Sequence, residues 1–437
     1  MISPETFARY AAMRVPRYTS YPTAPQFSPD IGSGEYRRWL QAVPSNEPLS
    51  VYLHIPFCRE MCWYCGCHTT VTRRREPIER YVAALSSEIR EVSGELREEV
   101  QIGHLHWGGG SPTLLPESAI EQLSRQLRDR FSFRPDAEIA VEVDPRTLTR
   151  SVAGAFAAAG INRASLGVQS FDPVVQKAIN RVQSFDVTRS AVDLLRTSGV
   201  RGLNFDLVYG LPFQSVSSCL SSVERALELR PDRLSIFGYA HVPSFKPHQR
   251  KIDERALPAE QERHEQFRQM AQLLVQHGYL QLGLDHFALP ADPLARAAAE
   301  GRLRRNFQGY TVDSCPTLIG LGASAIGQLS DGFVQNSARI PDYEARIAVD
   351  GLATTRGCAF TGEDRRRGAV IEQLMCNYEA EIGNLTAPLA ALEADGLISR
   401  DGTRIKVAEQ ARPLVRTVAA AFDAYLARSG ATHAPAV

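Results

Sequence analysis

No stretch of this 437-residue chain approaches the roughly 20 consecutive apolar residues needed to cross a bilayer as a helix. Nor is there an excess of either charge, since Lys+Arg and Asp+Glu each total 49. That balance removes the electrostatic argument for nucleic acid or an anionic membrane as partner. The short basic runs Arg73–Arg75 and Arg365–Arg367 read as solvated faces or turns. Met1-Ile-Ser-Pro-Glu5 has neither a basic n-region nor an apolar h-region, so no secretory leader is expected. The expected location is therefore the cytosol, where thiols stay reduced. Internal repeats and low-complexity tracts are missing too, apart from a tail of mostly small residues after Arg428.

What is present suits a globular protein: 44% apolar and 22% charged residues, with length for one large α/β domain and a smaller satellite. Residues 1–48 have no clean period and carry Pro16, Pro22, Pro25, Pro29 and Pro44, so they read as a strap of turns and short helices. An alternation then begins. Strands are expected at Val51–Ile55, His104–Trp107, Ile139–Val143, Ala164–Val168, Leu203–Val208, Leu234–Phe237 and Leu280–Leu284. Helical patterns separate them at Pro77–Val100, Glu117–Arg130, Val152–Ala159, Asp186–Thr197, Val216–Glu228 and Glu260–His277. Such alternation implies parallel βαβ units and a complete or partial (β/α) barrel over 49–360, with a doubly wound sheet as runner-up. Polar or glycine-rich clusters end successive strands, which favours a barrel, whose strand ends share one mouth. From 361 to 437 helices flank a hairpin turning at Asp401-Gly402, suggesting a small, mainly helical, winged-helix-like domain.

Cysteine is the residue whose distribution demands chemistry. Four of the eight fall in Cys58-Arg-Glu-Met-Cys62-Trp-Tyr-Cys65-Gly-Cys67, directly after the first strand. A [4Fe–4S] cube held by three thiolates leaves one iron open. Spacings of three and then two residues let one loop wrap a face of that cube. The open iron can chelate S-adenosylmethionine, and electron transfer then releases a 5′-deoxyadenosyl radical. Cys58, Cys62 and Cys65 are the expected ligands; Cys67 is expected beside the cluster without binding it. The alternative is a zinc knuckle using all four.

Gly108-Gly109-Gly110-Ser111 follows the next strand and could bring backbone close to a ligand, or be an ordinary tight turn. Glu142 could hold a ribose hydroxyl or an ammonium, or be a surface cap. Asp206 lies in an apolar run and needs a partner, such as Arg181 or a ligand. His104 and His106 share one strand face and read as buried or interfacial histidines, with metal binding the alternative. Cys219, Cys315, Cys358 and Cys376 lack ligand spacing and read as core or surface thiols.

Ordered segments along nearly the whole chain resemble one family. They include Pro16-Arg-Tyr-Thr-Ser-Tyr-Pro-Thr23, Tyr52-Leu-His-Ile-Pro-Phe-Cys58, Cys65-Gly-Cys67 and His106-Trp-Gly-Gly-Gly-Ser-Pro-Thr113. Glu142-Val-Asp-Pro145, Gly167-Val-Gln-Ser-Phe171, Asn180-Arg181, Asp206-Leu-Val-Tyr-Gly-Leu-Pro212, Tyr239-Ala-His-Val-Pro243, Asp285-His-Phe287 and Asn306-Phe-Gln-Gly-Tyr-Thr311 follow. The sequence resembles the oxygen-independent coproporphyrinogen III oxidases, in the radical S-adenosylmethionine superfamily. Two stretches depart from the family pattern, Val312–Ile319 and Val182.

The resemblance implies a partial (β/α) TIM-like barrel, a small helical C-terminal domain and a cytosolic monomer. It implies two molecules of S-adenosylmethionine: one near Tyr52, Gly109, Glu142 and Ile326, the other near Tyr64, Gly110, Ser111, Gln169, Arg181, Asp206 and Ala240. It implies conversion of two propionates of coproporphyrinogen III to vinyl groups, with electrons from an unidentified donor. A substrate with four carboxylates calls for cationic or hydrogen-bonding groups, for which Arg17, Tyr18 and Arg305 are the candidates. A haem-trafficking protein and a haem-ring-opening methyltransferase are the competing readings.

Overall fold

The computed structural model describes residues 2–97, 99–426 and 436. They form two compact units interleaved in sequence: Ser28–Leu273 with Cys315–Gly357, and Met1–Phe27 with Leu274–Ser314 and Cys358–Val437. These lines differ from the 1–48, 49–360 and 361–437 division set out above. The small-residue tail after Arg428 lies outside the described residues, except Ala436.

The first unit is built on six parallel strands: β1 (Leu49–Ile55), β2 (Gln101–Gly109), β3 (Ser132–Val143), β4 (Arg163–Gln169), β5 (Gly202–Tyr209) and β6 (Arg233–Gly238). Helices at Glu76–Glu95, Glu117–Arg130, Arg150–Ala158, Phe185–Thr197 and Val216–Glu228 connect them. β1 is buried on both faces with only Tyr52 half-accessible, as a central parallel strand requires. β4 alternates fully buried Ala164, Leu166 and Val168 with half-buried positions. Its half-buried face is polar: Ser165 donates to Asp206 at 2.9 Å, and Asn204 donates to Ser165 at 2.7 Å. The helices start where side chains cap them. Ser184 accepts from the Val187 N–H, and Ser215 forms a capping box with Ser218.

On the other side of β1 lies β7 (Thr317–Leu321), parallel to it, with Tyr52 opposite Gly320. β8 (Ile326–Leu329) and β9 (Gly332–Asn336) continue the sheet antiparallel. The helix Glu76–Glu95 locks this return. The Tyr81 hydroxyl donates to the His54 carbonyl at 2.7 Å and accepts from the Ala323 N–H at 2.9 Å. Buried Glu88 accepts from the Gly322 N–H, Asn336 Nδ2 and the Tyr343 hydroxyl. Burial still raises its carboxyl to about 7.

The second unit joins both ends of the chain in one core. Tyr10, Val15, Tyr18 and Tyr21 pack with Leu374, Val418 and Phe422. The helix Gly362–Asn377 opens on a Thr361–Asp364 capping box. The expected hairpin is present as Ile398–Asp401 and Arg404–Val407, turning at Gly402 with φ +58°, and Glu379–Glu381 adds a third strand. The run expected as a strand at Leu280–Leu284 stops at Leu282 and pairs antiparallel with His286–Ala288 in this unit. Gly283, at φ +55°, turns the chain back, so the seventh βα unit does not form.

Candidate active site

The cysteine loop leaves the carboxyl end of β1 and is pinned at its base. Phe57 and Cys58 pair with Thr70 and Val71, and the Thr70 N–H donates to the Pro56 carbonyl at 2.7 Å. Farther along, Asn180 Nδ2 donates to the Met61 carbonyl at 2.8 Å and the Trp63 N–H to Ile179 at 2.9 Å. Gln249 donates to the carbonyls of Tyr64 and Ala240 at 3.0 and 3.2 Å. His248 Nε2 lies 2.7 Å from the Cys65 carbonyl. Neighbouring elements therefore fix the loop at several points, which a metal-cluster loop needs for preorganisation.

Each of the three expected ligand sulfurs faces a donor. Thr69 Oγ1 is 3.1 Å from Cys58 Sγ, Arg146 Nη2 and Arg181 Nη1 are each 3.6 Å from Cys62 Sγ, and the Cys67 N–H is 3.4 Å from Cys65 Sγ. The Cys67 side chain is exposed beside Cys65. Arg181 is buried; its Nη2 donates to the Gly167 carbonyl at 2.7 Å and pairs with Asp144 at 3.5 Å. Arg146 pairs with the same carboxylate at 2.7 Å. Burial pushes the Asp144 carboxyl up, but the two guanidiniums outweigh it and hold it below the usual range. The Nε of Arg181 is buried without a hydrogen-bond partner among the described residues.

The glycine-rich turn sits against this loop. The Gly110 N–H donates to the Ile55 carbonyl at 2.8 Å, and a Cβ there would lie 2.6 Å from the Phe57 carbonyl oxygen. Gly109 has φ +112°, and a Cβ on it would strike the His54 ring at 2.6 Å. Only glycine fits either place. Glu142 is no surface cap: its Oε2 accepts from the Gly109 N–H at 2.9 Å and its Oε1 lies 3.2 Å from His106 Nε2. His106 stacks on Tyr52 with centroids 5.8 Å apart. The Tyr52 hydroxyl is 3.0 Å from His54 Nδ1, and His54 Nε2 is 3.0 Å from the His68 carbonyl. Burial depresses the His54 imidazole to about 4, so it is neutral near pH 7, donating to His68 and accepting from Tyr52. The Ser111 hydroxyl joins a relay with Thr113 and Thr147 at 2.8 and 2.6 Å.

The remaining expected residues have clear places. Gln169 ends β4 at φ +69°, and Ile326 begins β8 opposite Gln335. Asp206 accepts from Ser165 and from Asn204, both at 2.9 Å, while Arg181 is committed to Asp144. The backbone of Ala240 is held by Gln249. His104 lies beside Glu138, which Arg163 also approaches at 2.9 Å. Arg17, Tyr18 and Arg305 belong to the second unit. There Arg305 Nη2 is 3.4 Å from the Arg17 carbonyl, its guanidinium lies over the Tyr310 ring at 4.4 Å, and its Nε and Nη1 are buried without hydrogen-bond partners among the described residues. The Tyr18 ring is buried and its hydroxyl donates to Asp423 at 3.1 Å. Sequence reasoning missed Asp144, Arg146, Thr69, His54 and Gln249, although Asp144 stood in the strand-end segment Glu142-Val-Asp-Pro145.

Residues 52–226 match the model of the radical SAM superfamily. A curated oxygen-independent coproporphyrinogen III oxidase from Bradyrhizobium diazoefficiens is 51% identical, covering 98% of each chain. One from Escherichia coli is 41% identical, with 94% of this chain and 93% of that one covered. The solved structure of coproporphyrinogen III oxidase from Escherichia coli, described as a radical SAM enzyme, superposes with a TM-score of 0.89 at 38% identity, over 95% of this chain and 100% of that one.

The chain belongs to the oxygen-independent coproporphyrinogen III oxidases. It is thus a radical S-adenosylmethionine oxidoreductase, whose cofactors are a [4Fe–4S] cluster and S-adenosylmethionine. The residues present fit that cluster. Three thiol sulfurs on one pinned loop each face a hydrogen-bond donor, the arrangement that stabilises anionic thiolate ligands. Among the described residues no helix is long and apolar enough to cross a membrane.

Proposed function

We propose that the chain converts two propionates of coproporphyrinogen III to vinyl groups without oxygen, yielding protoporphyrinogen IX and two CO2. The observation that carries this reading is 51% identity across 98% of both chains to a protein bearing that oxidase name, joined to the donor-lined cysteine tripod. The competing trafficking and ring-opening readings gain no support from these relatives.

Cys58, Cys62 and Cys65 would hold the cluster, and Cys67 would lie beside it. When bound, cluster and S-adenosylmethionine supply a carbon radical able to take hydrogen from an unactivated C–H bond. The protein's own residues do the positioning. Glu142, with one oxygen on the Gly109 N–H and the other beside His106 Nε2, would meet the first S-adenosylmethionine along with Tyr52, Gly109 and Ile326. Tyr64, Gly110, Ser111, Gln169, Arg181, Asp206 and Ala240 would take the second. The spare Nε of Arg181 suits an anionic group there. Arg17 and Arg305 would meet substrate carboxylates, with Tyr18 shaping that segment. A monomeric protein acting in the cytosol completes the proposal.

The test is anaerobic reconstitution, then incubation with a reductant, S-adenosylmethionine and coproporphyrinogen III. Deoxyadenosine should form together with protoporphyrinogen IX. Deoxyadenosine without any vinyl product would assign a different substrate.

A further inference from the structure

Cys62 differs from the other two expected ligands in what faces it. It is buried, while Cys58 and Cys65 are partly accessible. Cys58 Sγ meets a neutral hydroxyl and Cys65 Sγ a backbone N–H. Two guanidiniums converge on Cys62 Sγ, Arg146 Nη2 and Arg181 Nη1, each at 3.6 Å. Two cations aimed at a neutral thiol would only repel each other; aimed at an anionic cluster ligand, both are compensated. Asp144 holds the two in place. Arg146 donates to it from Nε to Oδ1 at 3.0 Å, from Nη2 to Oδ2 at 2.7 Å, and from its backbone N–H to Oδ1 at 3.0 Å. Arg181 Nη2 lies 3.5 Å from the same Oδ1. Side-chain exposure is 8% for Arg181, 13% for Asp144 and 18% for Arg146, so water and salt screen this trio little.

The two arginines are not equivalent. Arg181 also donates to the Gly167 carbonyl and keeps a spare Nε for the second S-adenosylmethionine. Every side-chain hydrogen bond of Arg146 among the described residues goes to Asp144 or to Cys62. Burial and the neighbouring Arg181 charge both oppose the Arg146 guanidinium, and Asp144 outweighs them. Two positive charges against one negative leave the trio cationic beside Cys62. We propose that Arg146, aimed by Asp144, sets the reduction potential of the cluster by stabilising its reduced form through the Cys62 sulfur. Reduction brings one electron, and so one negative charge, to a cube ligated by anionic sulfur; no bond forms or breaks and no proton moves. A fixed, poorly screened cation at that sulfur favours the more negative state and raises the potential. The proposal rests on Cys62 as a cluster ligand and not on the identity of the substrate.

The test is an anaerobic redox titration of the full-length, cluster-loaded protein with dithionite. Electron paramagnetic resonance reads the reduced cluster, with neither S-adenosylmethionine nor substrate present, and iron content is measured on each sample. Arg146→Gln keeps a donor but loses the charge. It should load iron as wild type does and lower the midpoint by about 59 mV, a tenfold loss in the ratio of reduced to oxidised cluster at a fixed potential. Arg146→Lys keeps the charge and should recover most of that shift. Arg59→Gln removes an exposed cation next to Cys58 and should titrate with wild type, because solvent screens it. An unchanged midpoint in Arg146→Gln, or an equal fall in the Gln and Lys variants, would overturn the proposal. So would an equal fall in Arg59→Gln, since any nearby cation would then act alike. Loss of iron in Arg146→Gln would overturn it too, for the residue would then hold the cluster rather than set its potential. A cluster that survives Cys62→Ser would remove the ligand reading itself. If wild type makes no vinyl product yet the Arg146 shift appears, the substrate reading fails and this one stands.

Discussion

At the scale of single residues, the cysteine spacing was legible and its surroundings were not. Three sulfurs at intervals of three and two residues, directly after the first strand of a βα series, point to a cluster. Thr69, Arg146 and the Arg181–Asp144 pair reach those sulfurs only through tertiary approach, so no local pattern marks them. Cys62→Ser should abolish the visible cluster absorbance, whereas Cys67→Ser should keep the iron and lose activity; iron loss in the second variant would make Cys67 a ligand. Gly110→Ala should reduce iron loading several-fold, because its Cβ would press on the Phe57 carbonyl 2.6 Å away. Asp285 gives a pH-dependent test. Burial opposes its charge, but His286 at 2.8 Å and the nearby Arg305 and Arg17 hold the carboxyl at about 2 rather than 3.8. A depressed carboxyl contributes stability above its unfolded value and loses it as pH falls through the folded one, here about 2 kcal/mol lost between roughly pH 4 and pH 2. Asp285→Asn apo-protein should therefore melt below wild type at pH 7, with the gap closing toward pH 2 in calorimetry.

At the scale of elements, helix boundaries agreed closely where caps and apolar periods were strong. Glu117–Arg130 and Val216–Glu228 were read to the residue. The six barrel strands were found but drawn short, most of all at the amino end of β3, where residues 132–138 are largely polar and partly exposed and hide the strand. The strands from Thr317 to Asn336 went unseen: they are short, each contains a glycine, and they follow one another antiparallel without intervening helices, so no strand–helix alternation announces them. Their closure depends on the helix Glu76–Glu95. Tyr81→Phe removes a hydroxyl that satisfies both the His54 carbonyl and the Ala323 N–H. Leaving those buried groups unpaired should cost about 1–3 kcal/mol, read as a lower urea midpoint with an unchanged m-value. Because His54 contacts Tyr52, the same variant should also bind S-adenosylmethionine more weakly while retaining its iron.

At the scale of the whole molecule, what the N-terminal strap packs against was not legible in the sequence. Its prolines and lack of period suggested only a strap of turns and short helices over 1–48. The structure instead puts Tyr10, Val15, Tyr18 and Tyr21 in one hydrophobic core with the C-terminal segments. Buried Arg416 reinforces this by donating to the carbonyls of Val15 and Pro16. The anchors are spaced irregularly because the chain meets that core as an irregular segment, so sequence periodicity could not show it. Burying a large apolar side chain contributes roughly 1.5–3 kcal/mol. Deleting residues 2–21 removes four such side chains and leaves the Arg416 guanidinium buried without those partners. The deletion should thus destabilise the second unit by more than about 5 kcal/mol, enough to unfold a domain of ordinary stability. Limited proteolysis should then cut within residues 358–426 while residues 28–273 stay protected. A truncated protein that resists protease as well as wild type, and loses only turnover, would show the segment to be dispensable to that core.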